Sequence, residues 1–122
     1  MNFSRIKNDI LGKEYSLSLA FIDAQKSRAI NKTYRKKDRP TNILSFPYSE
    51  TEGEILICKE VARKDAPKFN KTFDQFLGFL VIHGCLHLKG YEHGATMEKA
   101  EEKYLSRIKF LSKKNKKITS TR

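Results

Sequence analysis

All three histidines of the chain lie in one segment, His83-Gly84-Cys85-Leu86-His87-Leu88-Lys89-Gly90-Tyr91-Glu92-His93. Because His83 and His87 are four residues apart, a helix through them places both imidazoles on one face, one turn apart. Gly90 permits the left-handed turn that ends such a helix, so that His93 can return to the same point. Three imidazoles with an open fourth position are typical of a catalytic zinc site, whereas structural sites usually have four protein ligands. We therefore expect one zinc ion per chain, bound by His83, His87 and His93.

The spacing of these histidines matches the zinc peptidase signature H-E-x-x-H-x-x-G-x-x-H except at one position. Gly84 stands where the peptidases have the glutamate that acts as general base. Without that carboxylate, peptide hydrolysis by the standard route is disfavoured. Cys85 lies about 200° around the helix from both neighbouring histidines, so we expect it in the core rather than on the metal.

The residues before Gly90 are apolar on almost every side, which is typical of a buried central helix. We predict this helix from Phe73 to Leu88, with Thr72 or Asp74 as its cap. In the first predicted strand, Tyr15, Leu17, Leu19 and Phe21 alternate with small residues, as in a half-buried strand. Further helices are predicted at Met1–Leu11, Ala24–Arg35, Lys59–Lys68 and Ala95–Leu111, and strands at Glu14–Asp23, Ile43–Pro47 and Glu54–Cys58. Helices on a small sheet give an α+β sandwich whose central helix carries the histidines.

The length of 122 residues predicts a single domain. We place a metal-dependent hydrolase domain at residues 1–112 and a frayed basic tail at 113–122. The longest apolar run, Phe79–Ile82, is too short to cross a bilayer, and the charged start lacks the apolar stretch of a signal peptide. We therefore expect a cytoplasmic protein without a membrane partner, whose Cys58 and Cys85 are reduced thiols. The sequence does not fix an oligomeric state.

The net charge of +11 comes largely from two basic clusters. The first consists of Lys26, Arg28, Lys32, Arg35, Lys36, Lys37 and Arg39, with Asp38 among them. The second follows Glu102 and consists of Lys103, Arg107, Lys109, Lys113, Lys114, Lys116, Lys117 and Arg122. Basic residues that are segregated in this way favour a polyanion as the binding partner.

Two motifs of the chain are similar to those of a known family. The first is His83-Gly84-x-Leu86-His87-Leu88-x-Gly90-Tyr91-x-His93, and the second is Tyr34-Arg35-x-Lys37-Asp38-x-Pro40-Thr41-Asn42-x-Leu44-Ser45-Phe46-Pro47. Through both motifs the chain resembles the YbeY family of bacterial metal-dependent endoribonucleases, and the resemblance extends loosely from about Ile22 to Leu105. This chain has Glu92 and Glu54 where that family usually has aspartate.

The resemblance implies a mixed β-sheet between helices and a single-strand-directed, zinc-dependent endoribonuclease. It also implies a role in ribosomal RNA maturation, chiefly at the 3′ end of the small-subunit RNA, and in ribosome quality control. RNA, the small ribosomal subunit and its proteins would be the partners. A zinc ion can polarise a phosphodiester oxygen or generate hydroxide near neutral pH, while a guanidinium neutralises charge that develops on phosphorus. Arg35, which matches the arginine of the second motif, is our catalytic candidate, and Lys37 and Arg39 are our candidates for substrate binding.

The general base is left open by the sequence. Glu92, Asp38 and Glu54 are candidates, each of which also has a structural interpretation, and the RNA 2′-hydroxyl is the alternative attacking group. Two other functions compete with the nuclease. One is a zinc-stabilised RNA-binding or ribosome-assembly factor without turnover, and the other is a zinc peptidase with an atypical base.

Overall fold

A computed structural model describes residues 3–120 of the chain, with side chains described as far as Ile108. Five helices and three strands follow one another along this range. They are α1 (Phe3–Leu11), β1 (Ser16–Ile22), α2 (Ala24–Arg35), β2 (Ile43–Ser49), β3 (Glu52–Cys58), α3 (Lys59–Asp65), α4 (Phe73–Lys89) and α5 (Ala95–Ser120), with a 3₁₀ turn at Ala66–Phe69 between α3 and α4. Within residues 3–120, every helix is too short or too polar to cross a membrane.

The three strands form a mixed sheet in the order β1-β3-β2. β1 is parallel to β3, so the chain must cross over between them, and α2 lies in that crossover. β2 pairs with β3 in the antiparallel direction as a hairpin. Pro47 lies in the edge strand β2, beside an irregularity in the register, where a residue without an N–H is tolerated. The predicted α+β class with a mixed sheet is confirmed.

The sheet is covered on both faces. Ile55 and Ile57 of β3 are fully buried in the main core cluster, and they face α4. Leu44 and Leu56, which are partners across β2 and β3, are buried on the opposite face, because successive residues of a strand point to opposite sides. The predicted arrangement of a small sheet between helices is therefore present.

Helix α4 is the centre of the molecule. Thr72 caps its first turn through a reciprocal capping box with Gln75, so Thr72 rather than Asp74 is the cap. Its side chains include fully buried Phe76, Val81 and Ile82, and the helix packs against α1, α5, β2 and β3. A helix that is enclosed in this way holds its side chains in fixed positions, which suits metal ligands.

The exposure of Phe21 and the length of α5 differ from the sequence expectations. Phe21 was expected to face inwards with Leu17 and Leu19, but its side chain is 43% exposed. It lies near the end of edge strand β1, where Nζ of Lys59 is 4.2 Å from the ring centroid. Helix α5 continues beyond Leu111 to Ser120. The side chains of 109–122 lie outside the described residues, so the boundary at 112 and the basic tail at 113–122 stay predictions.

Candidate metal centre and cleft

The three histidines converge on one point, where a ligand nitrogen of each lies within 4.8 Å of the other two. His83 and His87 come from consecutive turns of α4, and their Nε2 atoms are 3.1 Å apart. Gly90 ends the helix in the left-handed region with φ 110°. The chain then returns so that the ring centroid of His93 lies 4.6 Å from that of His87 and 5.4 Å from that of His83. The structure thus brings together the three residues that the spacing predicted as ligands.

The outer nitrogens of two of these rings each have a fixed partner. His83 Nδ1 lies 2.6 Å from Oε2 of Glu101, and His87 Nδ1 lies 3.1 Å from the carbonyl oxygen of Tyr91. A carbonyl or an ionised carboxylate can only accept a hydrogen bond, so the protons belong on the two Nδ1 atoms. The facing Nε2 atoms are then left with lone pairs that repel each other unless a cation lies between them. This chemistry fits a metal ion, and an Nδ1 partner is usual for histidines that bind metals.

Burial lowers the pKa of His87 below its ordinary value, and the neighbouring His83 and His93 lower this pKa further, while the hydrogen bond to the Tyr91 carbonyl opposes the shift. The ring is therefore neutral near pH 7. Neutral imidazole is the form that binds a metal ion, because its free nitrogen keeps its lone pair.

Glu101 was not found from the sequence. It lies on α5, away from the histidine segment, and only 12% of its side chain is exposed. The available signal was its position four residues after the buried Met97, which places both side chains on one face of the helix. That face packs on α4, so a carboxylate there reaches the histidines.

A cleft of about 590 Å³ opens beside the histidines. Its walls come from the end of α2, the following loop, the first half of β2 and the histidines, and they consist of Tyr34, Arg35, Thr41, Asn42, Ile43, Leu44, Ser45, Phe46, His83, His87 and His93. None of these described residues is acidic. The guanidinium of Arg35 has no hydrogen-bond or ion-pair partner within residues 3–108 and is free to bind an anion.

Polar contacts on α2 fix the loop that forms one wall of the cleft. Ser27 is fully buried, and its hydroxyl donates to the carbonyl oxygen of Thr41 at 2.8 Å and accepts from the Thr41 N–H at 2.9 Å. The Asn31 amide donates to the carbonyl oxygen of Arg39 at 2.8 Å. Lys36 adopts a left-handed conformation that ends α2 next to Arg35. These contacts hold the second motif against the cleft.

The other predicted residues lie elsewhere. Lys37 and Arg39 are exposed and belong to the same loop, but they do not line the cleft. Their role in substrate binding stays a prediction, and Arg35 is the base of that cluster that the structure brings to the histidines.

The three candidates for the general base also lie outside the cleft walls. Asp38 pairs with Arg28 at 2.7 Å, and this contact lowers the pKa of its carboxyl. Glu54 accepts a hydrogen bond of 2.6 Å from the hydroxyl of Tyr48. Glu92 is exposed next to His93. Asp38 and Glu54 therefore have structural partners, and among the described residues no carboxylate lines the cleft.

Gly84, at the position of the peptidase glutamate, packs directly on the sheet. A Cβ at Gly84 would lie 2.8 Å from Cδ1 of Ile55 and 3.0 Å from Oγ of Ser45. The position therefore has no room for a glutamate.

Cys85 is fully buried, as expected, and burial raises its pKa to about 12. A thiol with this pKa is protonated at neutral pH and is not a metal ligand there.

The chain is similar to known proteins in sequence and in structure. The model of a family described as Endoribonuclease YbeY matches residues 3–110. The Endoribonuclease YbeY of Alkaliphilus oremlandii is 40% identical over 113 residues, which cover 80% of this chain and 75% of that protein. The Endoribonuclease YbeY of Staphylococcus aureus strain JH9 is 38% identical over 111 residues, which cover 80% and 70% of the two chains. The solution structure of a Thermotoga maritima protein superposes with a TM-score of 0.67 at 29% identity, and the match covers 93% of this chain and 83% of that one.

Proposed function

Because the chain belongs to the YbeY family of endoribonucleases, we propose that it is a zinc-dependent endoribonuclease that cuts single-stranded RNA in the cleft beside His83, His87 and His93. One observation carries the proposal. The guanidinium of Arg35, without a partner in the described structure, lies in the same acid-free cleft as three converging imidazoles. This combination suits a phosphodiester, because the substrate is an anion and its reaction places further charge on phosphorus.

The donor set supports zinc. Three imidazole nitrogens without a thiolate suit a zinc ion better than an iron–sulfur cluster or a cation that prefers oxygen ligands. Two zinc–nitrogen bonds of about 2.0–2.1 Å at a tetrahedral angle place their nitrogens roughly 3.3 Å apart. The observed 3.1 Å between Nε2 of His83 and Nε2 of His87 is close to that separation. When bound, the zinc ion supplies Lewis acidity towards a phosphodiester.

The residues of the chain have separate tasks in this proposal. Arg35 binds non-bridging phosphate oxygens through its planar fork and neutralises charge as it develops in the transition state. Glu101 and the Tyr91 carbonyl hold the rings of His83 and His87 in the orientation that points both Nε2 atoms to one place. No carboxylate among the described residues lines the cleft, so the structure offers no general base there. The attacking group is therefore identified from the ends of the RNA products. A 2′,3′-cyclic end indicates the neighbouring 2′-hydroxyl, whereas a 3′-hydroxyl end indicates water.

The proposed cellular role is ribosomal RNA maturation, chiefly at the 3′ end of the small-subunit RNA, together with ribosome quality control. RNA, the small ribosomal subunit and its proteins are then the partners, in the cytoplasm. The strongly basic composition supports a polyanionic partner. Cys58 and Cys85 are both buried free thiols, as is usual in a reducing compartment.

Single-turnover cleavage of an unstructured RNA at saturating protein tests the role of Arg35. Arg35→Ala should lower the rate of the bound complex roughly 10²- to 10³-fold, as loss of a group that stabilises transition-state charge does, with little change in affinity. Arg35→Lys keeps the charge but loses the planar fork, so it should recover only part of the rate. Arg39→Ala is the matched control, because it removes an exposed base of the same loop. It should weaken binding and leave the bound rate unchanged, and equal rates for all four proteins would remove Arg35 from the catalytic residues.

The same assay separates the nuclease from an RNA-binding factor without turnover, and the packing of Gly84 bears on the peptidase. An RNA-binding factor without turnover would bind the RNA and leave it intact with zinc present. A peptidase would need a base at the helix position that Gly84 occupies or elsewhere in the cleft, and the close contact of Gly84 with Ile55 and Ser45 argues against the first of these.

A further inference from the structure

Two aromatic rings line the cleft next to Arg35. Tyr34 precedes Arg35 at the end of α2, and Phe46 lies on the edge strand β2. Their ring centroids are 5.4 Å apart with an interplanar angle of 69°, which is an edge-to-face contact. Tyr34 is nevertheless 69% exposed. A largely exposed ring on the wall of the cleft is an available stacking surface.

Packing in the hydrophobic core does not explain why a tyrosine is present at position 34. Its side chain is outside the main hydrophobic cluster, and its hydroxyl makes no hydrogen bond within residues 3–108. The other strongly exposed tyrosine, Tyr48, differs in this respect, because its hydroxyl donates to Glu54 and it does not line the cleft. The position of Tyr34 therefore suits a ligand better than it suits the fold.

We propose that Tyr34 and Phe46 form a binding site for one unpaired nucleobase, next to the phosphate that Arg35 binds. The inference rests on the proposed nuclease function and names the part of the RNA that the cleft recognises. A nucleotide combines the two features that these walls complement, an anionic phosphate and a flat π system. Stacking on an aromatic side chain accepts any base, because each base has a π face.

The size and charge of the cleft agree with this occupant. Its volume of about 590 Å³ lies within the range of roughly 300–1,000 Å³ that is usual for small-molecule sites. No acidic residue lines it to repel the RNA backbone, and the one charged side chain on its walls, apart from the titratable histidines, is Arg35. Because Tyr34 and Arg35 are consecutive in the chain, the base and the phosphate that they bind belong to the same or to neighbouring nucleotides.

The site gives a residue-level reason for a preference for single strands. A base inside a duplex is covered on both faces by its neighbours, so Tyr34 cannot stack on it without unstacking. Discrimination between single and double strands then depends on Tyr34, whereas cleavage depends on Arg35 and the histidines.

Fluorescence anisotropy with a short, 5′-labelled, unstructured RNA tests the inference, using the full-length zinc-loaded protein. A set of RNAs carries one abasic ribonucleotide at each position around the cleavage point. The wild-type protein should bind one of these abasic RNAs roughly tenfold more weakly than the intact RNA, a loss within the range of base–aromatic stacking. The Tyr34→Ala protein should bind the intact RNA about tenfold more weakly than wild type does. Removal of the base at that same position of the RNA should not weaken binding by the Tyr34→Ala protein any further. Tyr34→Phe should behave as wild type, and Tyr34→Leu, which keeps an apolar side chain without a π face, should behave as Tyr34→Ala.

The matched control is Phe21→Ala, because Phe21 is an exposed aromatic residue on the other edge strand, outside the cleft. It should bind all the RNAs as wild type does. Unchanged affinity in Tyr34→Ala, or a loss from base removal that is as large in Tyr34→Ala as in wild type, would overturn the nucleobase site. Cleavage of the same RNAs is followed in parallel: wild-type protein that binds with the predicted base dependence but never cuts would contradict the nuclease function and leave the base site standing.

Discussion

The orientation of His83 depends on one carboxylate, that of Glu101 on α5. Glu101→Ala should weaken zinc binding about 10- to 100-fold, the usual effect of removing a partner of a metal ligand, because the His83 ring then loses its fixed tautomer and direction. Glu102→Ala removes an exposed carboxylate from the next position of the same helix and should leave zinc affinity unchanged. Competition with a chromophoric chelator measures both affinities, and equal values for the two variants would show that Glu101 does not support the site.

The Cys85 thiol should be inert in the native protein. Burial raises its pKa to about 12, so at pH 8 it is protonated as well as inaccessible, and in a Cys58→Ala protein we expect alkylation only after unfolding. The pKa in the folded state is above the unfolded value of about 8.5, so the folded state keeps its proton to higher pH. The stability that this provides is complete below the unfolded pKa and is lost as the pH rises towards the folded one. Rapid labelling of the native protein at pH 8 would contradict this account.

Among the single residues of the site, the histidine ligands were predictable from the sequence, whereas the residues that surround them were not. Spacing along one helix and a glycine at its end determine how His83, His87 and His93 meet, so the sequence contains their geometry. Glu101 reaches His83 only because α5 packs on α4, and Asp38 and Glu54 are held by Arg28 and Tyr48 through tertiary contacts. Such contacts have no fixed spacing in the chain.

Close packing between α4 and the sheet depends on Gly84. Gly84→Ala should lower the free energy of unfolding by about 1 kcal/mol, since overpacking a core costs about 1–3 kcal/mol and alanine regains about 0.5–1 kcal/mol of helix propensity. The nearest obstacle is Cδ1 of Ile55, at 2.8 Å from the added carbon. The Ile55→Val background removes that methyl group, so Gly84→Ala should be less destabilising there. Urea unfolding of wild type, the two single variants and the double variant gives the coupling free energy between Gly84 and Ile55. Strictly additive changes in the free energy of unfolding would show that Ile55 is not the obstacle.

Among the secondary structure elements, α4 was the most predictable, because its apolar pattern, its cap at Thr72 and its terminating Gly90 all agree. The predictions that were wrong concern the ends of strands β1 and β3. The third strand was predicted to begin at Glu54, but pairing with Ser16 and Leu17 of β1 extends β3 to Glu52 and Gly53. Phe21 matched the alternation of β1, but its side chain is exposed near the end of that edge strand. Pairing and coverage depend on neighbours that are distant in sequence, so local patterns do not reveal them.

The basic composition of the whole molecule should appear as salt-dependent RNA binding. Deletion of 113–122 removes a run of lysines and an arginine from the second basic cluster. The slope of log affinity against log salt should become shallower by about 0.7 for each phosphate of a single strand that is no longer neutralised. A protein of the same length with these bases changed to glutamine controls for chain length. An unchanged slope in both proteins would show that the tail does not contact RNA.

The proposed function requires one metal ion, held by the three histidines, for RNA cleavage in the cleft beside Arg35. Titration of metal-free protein with zinc, with bound zinc and the RNA cleavage rate measured in the same samples, tests it most directly. Cleavage should be absent without metal, rise in proportion to bound zinc and stop rising at one zinc per chain, whereas His87→Ala should show neither binding nor activity over that range. Cleavage that persists in fully metal-free protein, or that is equal in the His87→Ala protein, would contradict the account.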